Sequence, residues 1–134
     1  MSTSTRPRSV GLLGGGVIGA GWAARFVLNG CDVRLYDPAP DTRDRVAEVL
    51  ADARAAYEQL TLAPLPPDGE LRFVDSVAEA VEGSDLVQES APERVDVKRE
   101  LLAEADRAAP AGALVCSSTS GLRPTELQAA MARP

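Results

Sequence analysis

The run Gly14-Gly15-Gly16-Val17-Ile18-Gly19 places glycines at the spacing G-x-G-x-x-G, directly after the apolar stretch Val10-Gly11-Leu12-Leu13 and at the head of a helical pattern. This is the arrangement with which a backbone holds the pyrophosphate of a dinucleotide. Gly14 permits a tight turn off a strand, Gly16 lets backbone N–H groups approach the phosphates, and Gly19 lets the helix pack closely on the sheet. The anion then rests on the helix N-terminus, where unpaired N–H groups and the positive end of the dipole favour it. A carboxylate follows at Asp37, 18 residues past Gly19, closing the strand-like segment Asp32–Tyr36. There it can accept hydrogen bonds from the adenosine ribose hydroxyls of NAD, and it repels the extra phosphate of NADP. Arg34 and Arg43 lie nearby in sequence and would blunt that repulsion. A Gly-rich turn without a ligand is the bland alternative, and S-adenosylmethionine is a rival occupant whose ribose Asp37 would suit equally well.

Two further polar groups stand where chemistry could occur. In Glu89-Ser90-Ala91-Pro92-Glu93-Arg94, Glu93 precedes Lys98 by five positions across the start of a helix. A carboxylate there also has a simple capping role open to it. The turn Ser117-Ser118-Thr119-Ser120-Gly121 offers hydroxyls to a nicotinamide, a ribose or a substrate oxygen, and equally suits a loop that leads into a helix.

The elements that must position these groups alternate in type. After the first strand, Ile18, Trp22 and Phe26, with Ala23 and Val27, form an apolar stripe on a helix running to Leu28 that Asn29-Gly30 stops. Asp41 leads a long helix to Leu60, with Val46, Val49, Leu50, Ala53 and Tyr57 inward and Arg43, Asp44, Glu48, Asp52 and Arg54 outward. Pro64, Pro66, Pro67 and Gly69 make a breaker-rich loop. The strand Leu71–Val74, the short helix Ser76–Val81, the strand Ser84–Glu89, the helix Val95–Ala109 and the strand Ala113–Cys116 follow. A closing helix Thr125–Met131 has Pro124 in its first turn. Alternating strands and helices imply an α/β fold of Rossmann type: a doubly wound, mainly parallel sheet with helices on both faces. Ligands of such sheets bind beyond the strands' carboxyl ends.

Composition narrows the class further. The 134 residues suit one domain with a real core. A net charge of −6 without a Lys/Arg cluster argues against nucleic acid or anionic membranes as partners. Two cysteines, Cys31 and Cys116, make neither a disulfide framework nor a metal site, and Cys116 reads as a buried structural thiol. Met1–Arg8 is not a secretory signal and no apolar run has membrane-spanning length, which fits a cytoplasmic location.

Gly14 to Ala23 with Tyr36-Asp37-Pro38, then Val87 to Glu93 with Lys98, and the turn Ser117 to Gly121 together resemble the NAD-binding domain of the L-3-hydroxyacyl-CoA dehydrogenase family. The later stretches look closest to its L-carnitine dehydrogenase branch, with gulonate dehydrogenases near neighbours. The resemblance implies NAD as cofactor and a small 3-hydroxy substrate. Gly14, Gly15, Gly16, Val17, Ile18 and Gly19 would hold the pyrophosphate and Asp37 the adenosine ribose. Glu93 and Lys98 would contact the nicotinamide half, and Ser120 would serve as the catalytic hydroxyl between nicotinamide and substrate oxygen. Ser118 stands where fatty-acyl members usually carry Asn, which favours the carnitine-like branch. The family's general base is a histidine on a strand beyond Pro134, and this sequence has no histidine. The resemblance therefore implies residues 1–134 as an incomplete NAD-binding domain, inactive alone, whose helical C-terminal domain would cover the substrate and form a homodimer. A non-catalytic dinucleotide-binding module is the alternative from another class.

Overall fold

The computed structural model describes residues 7–60 and 65–133. It contains β1 (Ser9–Leu13), α1 (Val17–Leu28), β2 (Asp32–Tyr36), α2 (Thr42–Leu60), β3 (Leu71–Phe73), α3 (Val77–Val81), β4 (Leu86–Glu89), α4 (Val95–Ala108), β5 (Leu114–Ser117) and α5 (Pro124–Leu127). The five strands form one sheet in the order β3-β2-β1-β4-β5, every neighbouring pair parallel. This is the expected Rossmann-like fold. Pro64 lies outside the described residues.

Strand β1 is central and is covered on both faces, so its side chains alternate between two apolar layers rather than between core and water. Val10 and Leu12 pack with Ala20, Ala23 and Val27 of α1, Val33 and Leu35 of β2 and Val46 of α2. Leu13 points the other way, among Val77, Ala80 and Val81 of α3, Val87 of β4 and Ala105 of α4.

The structure redraws some expected faces and ends. Helix α1 buries its small side chains, Gly19, Ala20, Ala23 and Ala24, together with Val27 and Leu28. Trp22 and Phe26 stack on each other at the margin of that core, and Ile18 is not part of a buried stripe but is 59% exposed. A helix pressed close to a sheet leaves room for small residues at the contact and displaces large ones to its flanks. The last helix is a single turn, Pro124–Leu127, and does not extend to Met131. Cys116 is half-buried rather than enclosed, because β5 is an edge strand.

Register positions the site. Leu13 pairs with Tyr36 on one side and Glu89 on the other, and Glu89 pairs with Ser117. Four strands thus end on one line, and the loops that follow them converge at the carboxyl edge of the sheet.

Candidate dinucleotide-binding site

The glycine loop is built as its spacing requires. Gly14 sits at φ +106°, where a side chain is strained, and its N–H donates to the Tyr36 carbonyl at 2.9 Å. A Cβ on Gly19 would lie 1.9 Å from the Gly14 carbonyl oxygen, so α1 meets the loop at a distance only glycine allows. Gly16 is the N-cap of α1, with no side-chain cap and no acid in the first turn, and a Cβ there would meet nothing within 4 Å. Gly14, Gly16, Val17 and Ile18 open onto a cleft of about 910 Å³ whose far wall includes Val97 and Leu101. An uncapped helix N-terminus facing open space fits an anionic group.

Asp37, just past β2, lines the same cleft. Its Oδ2 accepts from the Gly15 N–H at 2.7 Å and its Oδ1 from the Ala39 N–H at 2.8 Å. Each carboxylate oxygen accepts more than one hydrogen bond, so both retain capacity toward ribose hydroxyls. The arginine beside it is one the sequence reading passed over. Arg45 lines the cleft and donates to the Gly15 carbonyl at 3.1 Å and to Asp41 Oδ2 at 2.8 Å. Arg34 instead donates to the Glu79 carbonyl, and Arg43 lies over the Phe73 ring, 4.8 Å from its centroid.

At the other end, the loops after β4 and β5 are joined by a polar ring. Glu89 is fully buried and Lys98 is 1% exposed; the Lys98 ammonium donates to Glu89 Oε2 at 2.7 Å. Ala91 N–H also donates to that oxygen at 2.6 Å, and the Ser117 hydroxyl donates to Oε1 at 2.5 Å. Lys98 lies 3.5 Å from Glu93 Oε1 as well. Glu93 Oε2 in turn accepts from the Ser120 N–H at 3.4 Å, the Ser120 hydroxyl at 3.5 Å and the Gly121 N–H at 3.3 Å. Desolvation, the largest single influence on Glu93, opposes its ionisation. The Ser120 and Gly121 amides and the Lys98 ammonium together outweigh it and hold its pKa below the ordinary 4.5.

Glu93, Lys98 and Ser120 therefore come together, and the glycines and Asp37 come together. Contact between Gly14 and Ser90, where a Cβ would lie 2.8 Å from the Ser90 carbonyl carbon, joins the two groups. Glu93 does not cap α4, whose N-cap is Arg94; its carboxylate turns to the serine turn instead. Ser118 bonds inward, to Gln88 at 2.7 Å and Ser90 at 2.9 Å. Glu89 was not singled out as a site residue in the sequence. Its signal was a carboxylate ending an apolar strand, with a lysine on the next helix and a serine ending the next strand.

A parallel sheet in this order, with the glycine turn after its first strand and an acid after its second, defines a dinucleotide-binding domain. Comparison with known proteins agrees: residues 9–134 match the family described as 3-hydroxyacyl-CoA dehydrogenase, NAD binding domain. The chain belongs to that family. It is 54% identical over 119 residues to the L-carnitine dehydrogenase of Mesorhizobium japonicum, covering 89% of this chain and 33% of the relative. It is 52% identical over 134 residues to the L-carnitine dehydrogenase/betainyl-CoA thioesterase of Rhizobium meliloti, covering 100% of this chain and 26% of that protein. Among solved structures, an FHMPC 5-dehydrogenase, an NAD+-dependent dismutase, superposes with a TM-score of 0.83 at 34% identity, over 96% of this chain and 42% of that one. The chain thus spans a third or less of the length of these two curated relatives.

Among the described residues no helix is long and apolar enough to cross a membrane, and no group of His, Cys, Asp and Glu could hold a metal ion.

Proposed function

We propose that this chain is the cofactor-holding part of an NAD-dependent dehydrogenase that oxidises the 3-hydroxy group of a small substrate. L-carnitine is the first choice and a 3-hydroxyacyl-CoA-like compound the second. In this reading the α1 N-terminus and Gly14–Gly19 hold the pyrophosphate, and Asp37 receives the adenosine ribose. Glu93, with Lys98 beneath it, and Ser120 stand at the nicotinamide end. Bound there, NAD supplies the hydride acceptor. The Ser120 hydroxyl orients the substrate oxygen, and Glu93 holds that serine from below. Removal of the alcohol proton near neutral pH calls for a base such as histidine, and the 134 residues contain none. Catalysis in this reading draws its base, its substrate cover and a homodimer interface from further sequence, in a cytoplasmic enzyme of which residues 1–134 are one incomplete domain.

One observation carries the cofactor assignment: the uncapped N-terminus of α1 and the Asp37 carboxylate open onto the same cleft. The relatives named L-carnitine dehydrogenase support the substrate. Calorimetric titration with NAD, NADP and S-adenosylmethionine tests the cofactor. Binding of NAD ahead of the other two is expected, and binding of S-adenosylmethionine without NAD overturns the assignment. A second reading, a dinucleotide-binding module without catalysis, rests on the absence of histidine. NADH formation from L-carnitine by a longer chain that includes these residues would exclude it. NADH formation by the 134 residues alone would show that the base lies within them.

A further inference from the structure

We infer that Glu89 is a positioning residue for the nicotinamide end of the site, acting through Lys98 and Ser117. The inference rests on the proposed roles of Glu93 and Ser120. The bonds form a closed circuit: Ser117 to Glu89, Glu89 to Lys98, Lys98 to Glu93, Glu93 to Ser120, with Ser117 and Ser120 on one turn. Each link joins a different segment. Glu89 ends β4, Lys98 is the fourth residue of α4, Glu93 is in the loop between them, Ser117 ends β5 and Ser120 follows it.

The circuit explains why two full charges lie inside the domain. A lysine 1% exposed is tolerated only where its ammonium is paired, and Glu89 meets it at 2.7 Å while a backbone amide and a hydroxyl complete the carboxylate's shell. The exposed members, Glu93 and Ser120, are joined by long bonds of 3.4 and 3.5 Å and would drift without an anchor. Lys98 is that anchor for Glu93, and Glu89 is what holds Lys98 at the height from which it reaches Glu93. Glu89 also fixes the root of the serine turn through Ser117, so both ends of the Glu93–Ser120 clasp are set by one buried carboxylate. Glu89 is fully buried whereas Glu93 and Ser120 are exposed, so it serves without touching cofactor or substrate.

The test compares NAD with ADP-ribose, which shares every part of the cofactor except nicotinamide. The 134-residue chain and its Glu89→Gln, Ser117→Ala, Glu93→Gln and Glu89→Gln/Lys98→Met variants are titrated with both ligands, with Tm measured alongside. Glu89→Gln is expected to weaken NAD about tenfold and ADP-ribose by less than about twofold, the loss of one charge-assisted bond felt at the nicotinamide end only. Ser117→Ala, which removes a single bond on Glu89 and leaves the ion pair, should move NAD alone by about threefold. The uncharged double variant should regain Tm yet keep the selective loss, because Glu93 no longer has Lys98. Equal weakening of both ligands, or no change in their ratio, overturns the inference while Glu93→Gln still shifts that ratio. If Glu93→Gln itself leaves the ratio unchanged, the reading of Glu93 at the nicotinamide end is what fails.

Discussion

Asp37 holds the peptide N–H of Gly15 at 2.7 Å, so the acid that faces the proposed ribose also braces the loop proposed for the phosphates. Binding and preorganisation are thus joined in one side chain. Asp37→Ala is expected to weaken NAD by about a hundredfold, more than the tenfold or so of a single lost charge-assisted bond, because the loop loses its brace as well. Asp37→Asn, which keeps an acceptor for Gly15, should lose less. Calorimetry on both variants, with Tm as the measure of the loop's contribution, checks this; equal losses would mean the brace adds nothing.

Arg45 donates to the Gly15 carbonyl and lies in the cleft with Asp37. In the proposed reading, the acid and the guanidinium together would set the preference for a ribose with or without a 2′-phosphate. Asp37→Ser removes the repulsion and leaves the guanidinium, so the ratio of NADP to NAD affinity should rise by about tenfold or more. Asp37→Ser/Arg45→Ala should return most of that gain. Competition between the two cofactors gives the ratio directly.

Gly16 and Gly19 should respond in opposite ways to the same added methyl. At Gly19 the Cβ would lie 1.9 Å from a backbone oxygen, so Gly19→Ala must push α1 off the loop and cost about 1–3 kcal/mol of stability. At Gly16 the Cβ meets no protein atom within 4 Å and φ is an ordinary −70°. Gly16→Ala should leave the unfolding free energy within about 0.5 kcal/mol and weaken NAD, whose phosphate would occupy that space. Denaturant melts paired with NAD titration separate the two effects.

The lowered pKa of Glu93 gives the clasp a pH signature. A carboxylate whose folded pKa lies below its unfolded value stabilises the fold above the unfolded pKa. It loses that contribution as pH falls from about 4.5 through its own lower value. The Tm difference between the parent chain and Glu93→Gln should therefore be present at pH 7 and vanish in the acid range. A difference that persists unchanged below the folded pKa would place the effect in packing rather than charge.

The glycine run, Asp37 and the alternation of strands and helices could be read from the sequence because each rests on local spacing. The helix faces were harder. Large apolar residues at helical intervals suggested that Ile18, Trp22 and Phe26 point inward, but the approach of α1 to the sheet is set by Gly19 against Gly14, and so alanines take the contact. Glu93 and Ser120 were placed by resemblance, since nothing in their own spacing separates a clasp from a helix cap. Arg45 and Glu89 were missed for a shared reason. Their partners, Gly15 and Ser117, lie 30 and 28 residues away in sequence, and only the tertiary fold brings them together.

That Glu89 and Ser117 are paired rungs of adjacent strands has a consequence for how the chain finds its fold. In a strand, sliding by one residue turns every side chain to the opposite face. If β5 docked on β4 one step out of place, the Ser117 hydroxyl would point away and the Glu89 carboxylate would be enclosed one donor short, at a cost of about 1–3 kcal/mol. Apolar neighbours such as Val87 and Val115 would notice the slip far less. The carboxylate thus proofreads the pairing of β5 with β4, because a slipped register would bury it short of a donor.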